Sequence, residues 1–223
     1  MSPDAWKYAK PRELLLYLLA HRAGRTRDQI GLTFWPDASP AQVKNNFHVA
    51  LHQVRRALGT ADVIIFDGER YVVNWSLGVE LDAHRFEEDV RAALRVREGA
   101  LPLLERALSL YAGDFLEDAQ AGDWHLEYRD RLQRLYLDGL LACGELQARA
   151  GRVDDEAEAY RRVLARDPLH EEAHRRLIAS LARAGRRSEA LRQYERLVET
   201  LERELEADPD PATVALVEQI RRG

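Results

Sequence analysis

Apolar residues in the first sixty positions recur at intervals of three and four, the spacing of helices buried on one side. After Pro11, a favoured first-turn residue, Leu15, Leu18 and Leu19 fall on one stripe with Ala23, and Gly24 supplies the stop. Thr26, with Gln29 three residues on, has the form of a capping box and opens a short second helix through Ile30 that ends near Phe34 and Trp35. A third start follows at once. Ser39 as N-cap, Pro40 at the first helical position and Gln42 at the third predict a helix from Pro40 to about Leu58, with Val43, Phe47, Leu51, Val54 and Leu58 toward the core. Beyond Gly59 the period changes: Val63-Ile64-Ile65-Phe66 and Tyr71-Val72-Val73 are extended, β-branched and aromatic runs separated by Asp67-Gly68, a strong hairpin signal. Helix, helix, helix, hairpin is the order of a winged helix.

From Asp82 onward the signals are helical. Asp82 caps a predicted helix bearing Phe86, Val90 and Leu94, and Leu101 to Tyr111 continues with Leu104, Ala107, Leu108 and Tyr111 on one face. Ala112 to Asp123 reads as a loop, and a long helix is predicted from about Trp124 to Ala150. The sequence then repeats itself: Gly151 recurs as Gly185 and Tyr160 as Tyr194, each at an interval of 34, the tetratricopeptide period. In the first copy Gly144 takes the small position, Val153, Tyr160 and Val163 the packing positions and Pro168 the terminating proline, while Glu156 replaces a usual alanine. The second copy is degenerate, with Gly185, Ala190, Tyr194 and Leu197 in place but Ile178 for the small residue and Glu202 for the proline. Such helix pairs bury one face only by stacking on neighbours, so a small superhelix is expected, closed by a terminal helix from Pro211 to Arg222.

Composition agrees with a soluble globular chain: 223 residues, 46% hydrophobic and 32% charged, enough for two ordinary domains. The expected fold class is mainly α, a winged helix-turn-helix with a β-hairpin wing over residues 1–78 and an α-helical, tetratricopeptide-like domain over residues 79–223. The net charge of −5 conceals a division. Residues 1–78 carry ten Lys/Arg against seven Asp/Glu, net +3, and the remainder 23 against 31, net −8. A basic first part suits phosphates, and the acidic second part faces something else. No apolar run approaches the ~18 residues of a membrane span and no secretory signal precedes Pro11, so a cytoplasmic chain with no membrane partner is expected. A single cysteine, Cys143, set between Leu140 and Gly144, reads as a small buried residue. With no P-loop and no glycine-rich dinucleotide turn, no cofactor is expected.

The third predicted helix is the candidate for reading DNA. Its outward side holds Asn45, His48, Val49, His52 and Arg56, flanked by Lys44 and Arg55. Asn pairs bidentately with adenine, Val49 suits a thymine methyl, Lys44, Arg55 and Arg56 neutralise phosphates, and Arg70 on the hairpin reaches an adjacent backbone. A polar helix face alone is commonplace; two capped helices before it and a hairpin after it give it meaning. His170-Glu171-Glu172-Ala173-His174 satisfies H-E-x-x-H in letters, yet it opens a repeat helix and lacks a third ligand, so neither a zinc site nor a hydrolase is expected. A tetratricopeptide adaptor that binds a protein partner without touching DNA stays open as the alternative.

Several stretches together resemble bacterial regulators of the SARP and AfsR type, which join an OmpR-like winged helix to a helical bacterial transcriptional activator domain. They are Lys10-Pro11-Arg12-Glu13-Leu14-Leu15, Leu32-Thr33-Phe34-Trp35-Pro36, Val43 to Leu58 ending in Val54-Arg55-Arg56-Ala57-Leu58, Tyr111-Ala112-Gly113-Asp114-Phe115-Leu116 and Arg166-Asp167-Pro168-Leu169-His170-Glu171-Glu172-Ala173-His174. The resemblance implies a regulator bound to double-stranded DNA, with the third helix in the major groove and the wing near the minor groove. It implies that the repeats aid activation by contacting RNA polymerase or another regulatory protein, and it admits a homodimer. Such winged helices usually carry an N-terminal sheet; with ten residues before Pro11, at most one strand near Trp6 to Tyr8 is expected. The sheet is then reduced or missing, and the chain is the C-terminal part of a longer regulator or a trimmed or divergent member.

Overall fold

The computed structural model describes residues 6, 8–96, 99–117 and 122–222. Packing sorts the chain into two units, one of Met1–Arg85 with Gly113–Leu132 and one of Phe86–Ala112 with Gln133–Gly223. By sequence a single division at residue 78 is expected; by packing, a later segment joins the first unit.

In the first unit α1 (Ala9–Ala20), α2 (Arg27–Phe34) and α3 (Pro40–Leu58) precede a hairpin of β1 (Ile64–Asp67) and β2 (Arg70–Val73). Both expected capping boxes form: Gln29 N–H donates to Thr26 Oγ1 and Thr26 N–H to Gln29 Oε1, and Ser39 and Gln42 exchange the same pair. α1 ends at Ala20, before the expected stop at Gly24, and Ala23 is exposed. The chain has already turned there, because Arg25 and Tyr71 exchange backbone hydrogen bonds, an isolated antiparallel bridge from Arg25 to β2. The hairpin pairs Ile64 with Val73 through Asp67 with Arg70, leaving Gly68 and Glu69 as the two-residue loop. Asp67, expected in the turn, is therefore the last paired residue of β1, and the turn lies one position later than the expected Asp67-Gly68. Both loop residues have positive φ, 50° at Gly68 and 72° at Glu69, as in a type I′ turn whose twist matches the strands. Leu14, Leu18, Ile30, Phe47, Val54 and Ile64 form the buried centre. The strand expected near Trp6 to Tyr8 lies partly outside the described residues; Trp6 packs on this core and extended Tyr8 caps α1.

α2 meets α3 through Gly31. A Cβ added there would lie 2.7 Å from Val43 Cγ1, so only a residue without a side chain lets the two helices approach this closely.

The second unit is helical: α4 (Asp82–Arg95), α5 (Ala100–Leu108), α6 (Leu126–Arg149), α7 (Val153–Arg166), α8 (Glu171–Arg183), α9 (Arg187–Leu205) and α10 (Pro211–Arg222), of which α4 and α6 each begin in the first unit. On α4, Phe86, Val90 and Ala93 are buried, whereas Leu94, expected in the core, is exposed. Ala93 takes the inward position because it continues the step from Phe86 and Val90 more closely than its neighbour. Beyond α5, the Tyr111 ring stacks on Tyr136 at 4.2 Å.

The 34-residue repeat is physically unequal. In the first copy, the position of a Cβ on Gly144 lies 2.5 Å from the Tyr160 ring, so that ring rests directly on the α6 backbone and is 2% exposed. At the equivalent point of the second copy Ile178 is fully buried, and its bulk occupies the space the glycine leaves open. Tyr194 is then only half-buried, with the Arg221 guanidinium over its ring. Glu156, in place of the usual alanine, is buried and meets one nitrogen of Arg183 at 2.6 and 2.7 Å, pinning α7 to α8. Both interlocks hold stacked helices that share interfaces.

Tyr160→Ala should therefore cost about 3–5 kcal/mol, the range for truncating a buried aromatic, and Tyr194→Ala less than half as much. Segment-resolved hydrogen exchange should show protection lost in α6 to α8 for Tyr160→Ala with the first unit unchanged. Equal losses for the two tyrosines would refute the glycine–isoleucine explanation.

Candidate nucleic-acid interface

α3 carries the site because its rotation is set by what it buries. Val43, Phe47, Ala50, Leu51 and Val54 are buried, and a 3.6-residue period then turns the intervening positions outward. Lys44, Asn45, His48, His52 and Arg56 are exposed, as is Val49, with half of its surface accessible. Asn45, Val49, His52 and Arg56 follow one another at four, three and four, with His48 four before His52, so the five form one stripe along about three turns. The stripe pairs amide and imidazole groups with one apolar side chain, and Lys44 lies on its flank.

Two of the eight expected contact residues are held differently. Arg55 is half-buried and its Nη2 donates to the carbonyl oxygen of Ile64 at 2.9 Å, tying the last turn of α3 to β1, while its Nε is buried without an acceptor among the described residues. Arg70 is also half-buried and its Nη1 donates to the Gly24 carbonyl at 3.3 Å. Both guanidiniums join the hairpin to the helical part. Their spacing in sequence carried no sign of this, because it depends on where the hairpin folds back.

Exposed apolar residues are the features the sequence concealed. Leu32 on α2 is 73% exposed, and on β1 Phe66 and Ile65 face solvent although they belong to a β-branched and aromatic run. The signal available was length: a two-stranded ribbon outruns the core beneath it, and its last residues have nothing to cover them.

The H-E-x-x-H segment serves packing. His170 is the N-cap of α8, its Nδ1 accepting from Ala173 N–H. His174 is buried with Nε2 3.0 Å from the Pro168 carbonyl and Nδ1 2.8 Å from Gln193 Nε2. The carbonyl can only accept, so Nε2 carries the proton and Nδ1 accepts from the Gln193 amide. Glu171 accepts from Asp210 N–H and Thr213 Oγ1, and Glu172 pairs with Arg176. Among the described residues no three His, Cys, Asp or Glu side chains are grouped to hold a metal, and no helix is long and apolar enough to cross a membrane.

Burial holds His174 below its ordinary value of 6.5, against the opposing pull of the Pro168 carbonyl. On acidification the unfolded chain takes up this proton first. The stability His174 supplies is therefore complete above its ordinary value and is lost as pH falls through that value toward the lowered one of the folded state. Between about pH 7 and 5 the second unit should lose more stability in the parent chain than in His174→Gln, compared by urea midpoints. Parallel losses would show that this imidazole does not resist protonation.

A family model described as the bacterial transcriptional activator domain matches residues 81–221. The regulatory protein DnrI of Streptomyces peucetius is 30% identical over 216 residues, covering 90% of this chain and 79% of the relative. The transcriptional regulatory protein MoaR1 of Mycobacterium tuberculosis is 25% identical over 222 residues, covering 94% and 70%. Among solved structures, Mycobacterium tuberculosis EmbR in complex with a low affinity phosphopeptide superposes with a TM-score of 0.77 at 25% identity. That match takes in 96% of this chain but 59% of the EmbR chain, so the chain spans less than two thirds of that structure.

Proposed function

The chain belongs to the bacterial transcriptional activator domain family, among regulators of the SARP type, and from that premise we propose that it is a sequence-specific DNA-binding activator whose third helix enters the major groove. The observation that carries the reading is the outward stripe of α3: base-competent Asn45, His48, Val49 and His52 lie on one exposed line with Lys44 and Arg56 beside them. A major groove about 12 Å wide admits one helix, and a line of side chains along about three turns can follow successive base edges. Asn45 suits an adenine edge and Val49 a thymine methyl, while Lys44 and Arg56 neutralise phosphates. Arg55 and Arg70, both held on carbonyl oxygens, contribute by fixing the wing. Residues 1–78 hold the DNA in this reading, and residues 79–223 contact RNA polymerase or another regulatory protein. A buried third helix would favour the pure adaptor; the exposure of the stripe supports the DNA-bound reading instead.

Lys44→Ala and Arg56→Ala should each flatten the dependence of log affinity on log salt by about 0.9 on duplex DNA containing the cognate site. Arg55→Ala should leave that slope in place and instead lower the stability of the first unit. A slope that falls for Arg55→Ala as it does for Arg56→Ala would return Arg55 to the phosphates. Asn45→Ala or His52→Ala should lower discrimination against altered sites by ~1–3 kcal/mol with little change on random duplex. Equal losses on both duplexes would reassign these side chains to the backbone.

A further inference from the structure

The hairpin lies beside α3 and is turned toward its start. Arg55, in the last turn of the helix, donates to the carbonyl oxygen of Ile64 at the beginning of β1, and Tyr71, cross-strand partner of Phe66, sets its ring 4.4 Å from that of Phe47, eight residues earlier on the helix. The strands therefore run back along α3, and the loop at Gly68-Glu69 reaches past Phe47 toward the first turns. Lys44 and His48 are four apart and Arg55 is seven further on, so all three share the side of the helix that the hairpin flanks. A helix seated in a major groove has a phosphate backbone along each of its sides. With the stripe of α3 in the groove, the hairpin tip stands next to one of them.

The charge of the tip is wrong for such a neighbour. Asp67 and Glu69 are exposed, and neither carboxylate has an ion-pair partner among the described residues. Arg70, the one cation of the two strands and their loop, is turned back to the Gly24 carbonyl, and Arg55 is held on that of Ile64. The hairpin thus presents two outward negative charges against one positive charge directed inward. Phosphates repel the first pair, and the negative potential of a minor groove, which draws in arginine and lysine, opposes entry of the same tip.

We propose that the hairpin tip is an electrostatic brake on DNA binding: Asp67 and Glu69 hold the wing off the duplex, keep it out of the minor groove and weaken binding to every sequence by repelling the adjacent backbone. In this the chain departs from the wing near the minor groove that the resemblance implies. The repulsion falls on phosphates, which all duplexes share, so it lowers absolute affinity and leaves the discrimination made by Asn45, His48, Val49 and His52 as it is. Random sequence, held by phosphate contacts alone, is then the first to be released. The inference rests on the reading of α3 as the DNA-binding helix.

The test compares the full chain with its Asp67→Asn, Glu69→Gln double variant on two duplexes, one of random sequence and one selected by the parent chain from a random pool, at about 50 and 200 mM salt. Removing both charges should tighten binding about fivefold on each duplex at the lower salt, with the ratio between the duplexes kept and the gain smaller at the higher salt, where screening is stronger. The same change of net charge made at exposed positions of the second unit, Glu199→Gln with Asp208→Asn, should give less than half that gain. Replacing G·C by inosine·C in the selected duplex removes an amino group from the minor groove alone and should leave the parent's affinity within about twofold. No gain at the lower salt, an equal gain from the second-unit pair, or a larger loss with inosine would each overturn the proposal. If neither the parent nor the neutralised chain binds duplex, the DNA reading falls and the brake with it, whereas duplex binding that is indifferent to the tip sinks the brake alone.

Discussion

A helix can be rotated about its own axis in many ways, and burial chooses one. Five apolar side chains of α3 are withdrawn from water together, the four larger ones, Val43, Phe47, Leu51 and Val54, each contributing roughly 1.5–3 kcal/mol. Turning the helix by a third of a revolution would expose several of them at once, at a cost exceeding the ~1–3 kcal/mol of any single base contact. The outward stripe is thus dictated by the inward one, and DNA has no power to reorient it. Gly31 completes this constraint, since the close approach of α2 fixes the tilt of α3 as the core fixes its rotation.

The second unit is organised by a different rule, size matching between neighbouring helices. Gly144 admits the Tyr160 ring, while Ile178 closes the same place in the next copy and leaves Tyr194 at the margin. One repeat is locked and the next is looser on the same template. Where a polar group replaces an apolar one, a partner arrives with it: Glu156 has Arg183 and His174 has Gln193. Both pairs lie between consecutive helices, so packing and polar satisfaction are achieved at the same seams.

The sequence makes the helices of the first unit legible because their starts are written in short local patterns, such as Thr26 with Gln29 and Ser39-Pro40 with Gln42. The core side of α3 is legible for the same reason, through its period. Features that depend on distant chain are less so. The one-residue shift of the turn to Gly68-Glu69 follows from strand register, and the early end of α1 from the bridge between Arg25 and Tyr71. The engagement of Arg55 and Arg70 with carbonyl oxygens is invisible without the hairpin in place, so cations that look alike in sequence fall into two groups. Tyr160 and Tyr194, equivalent by spacing, differ because the deciding residue lies on another helix, 16 positions before each.

The loop of the hairpin holds Glu69 at a φ of 72°, in the left-handed region that glycine and asparagine occupy with the least resistance. A side chain with a Cβ there costs on the order of 1 kcal/mol relative to glycine. The glutamate thus stands against the conformational preference of its own backbone. A hairpin shaped only for its own stability would carry asparagine or glycine at its loop positions and no charge at its apex, so the acidic apex costs this ribbon part of its own stability.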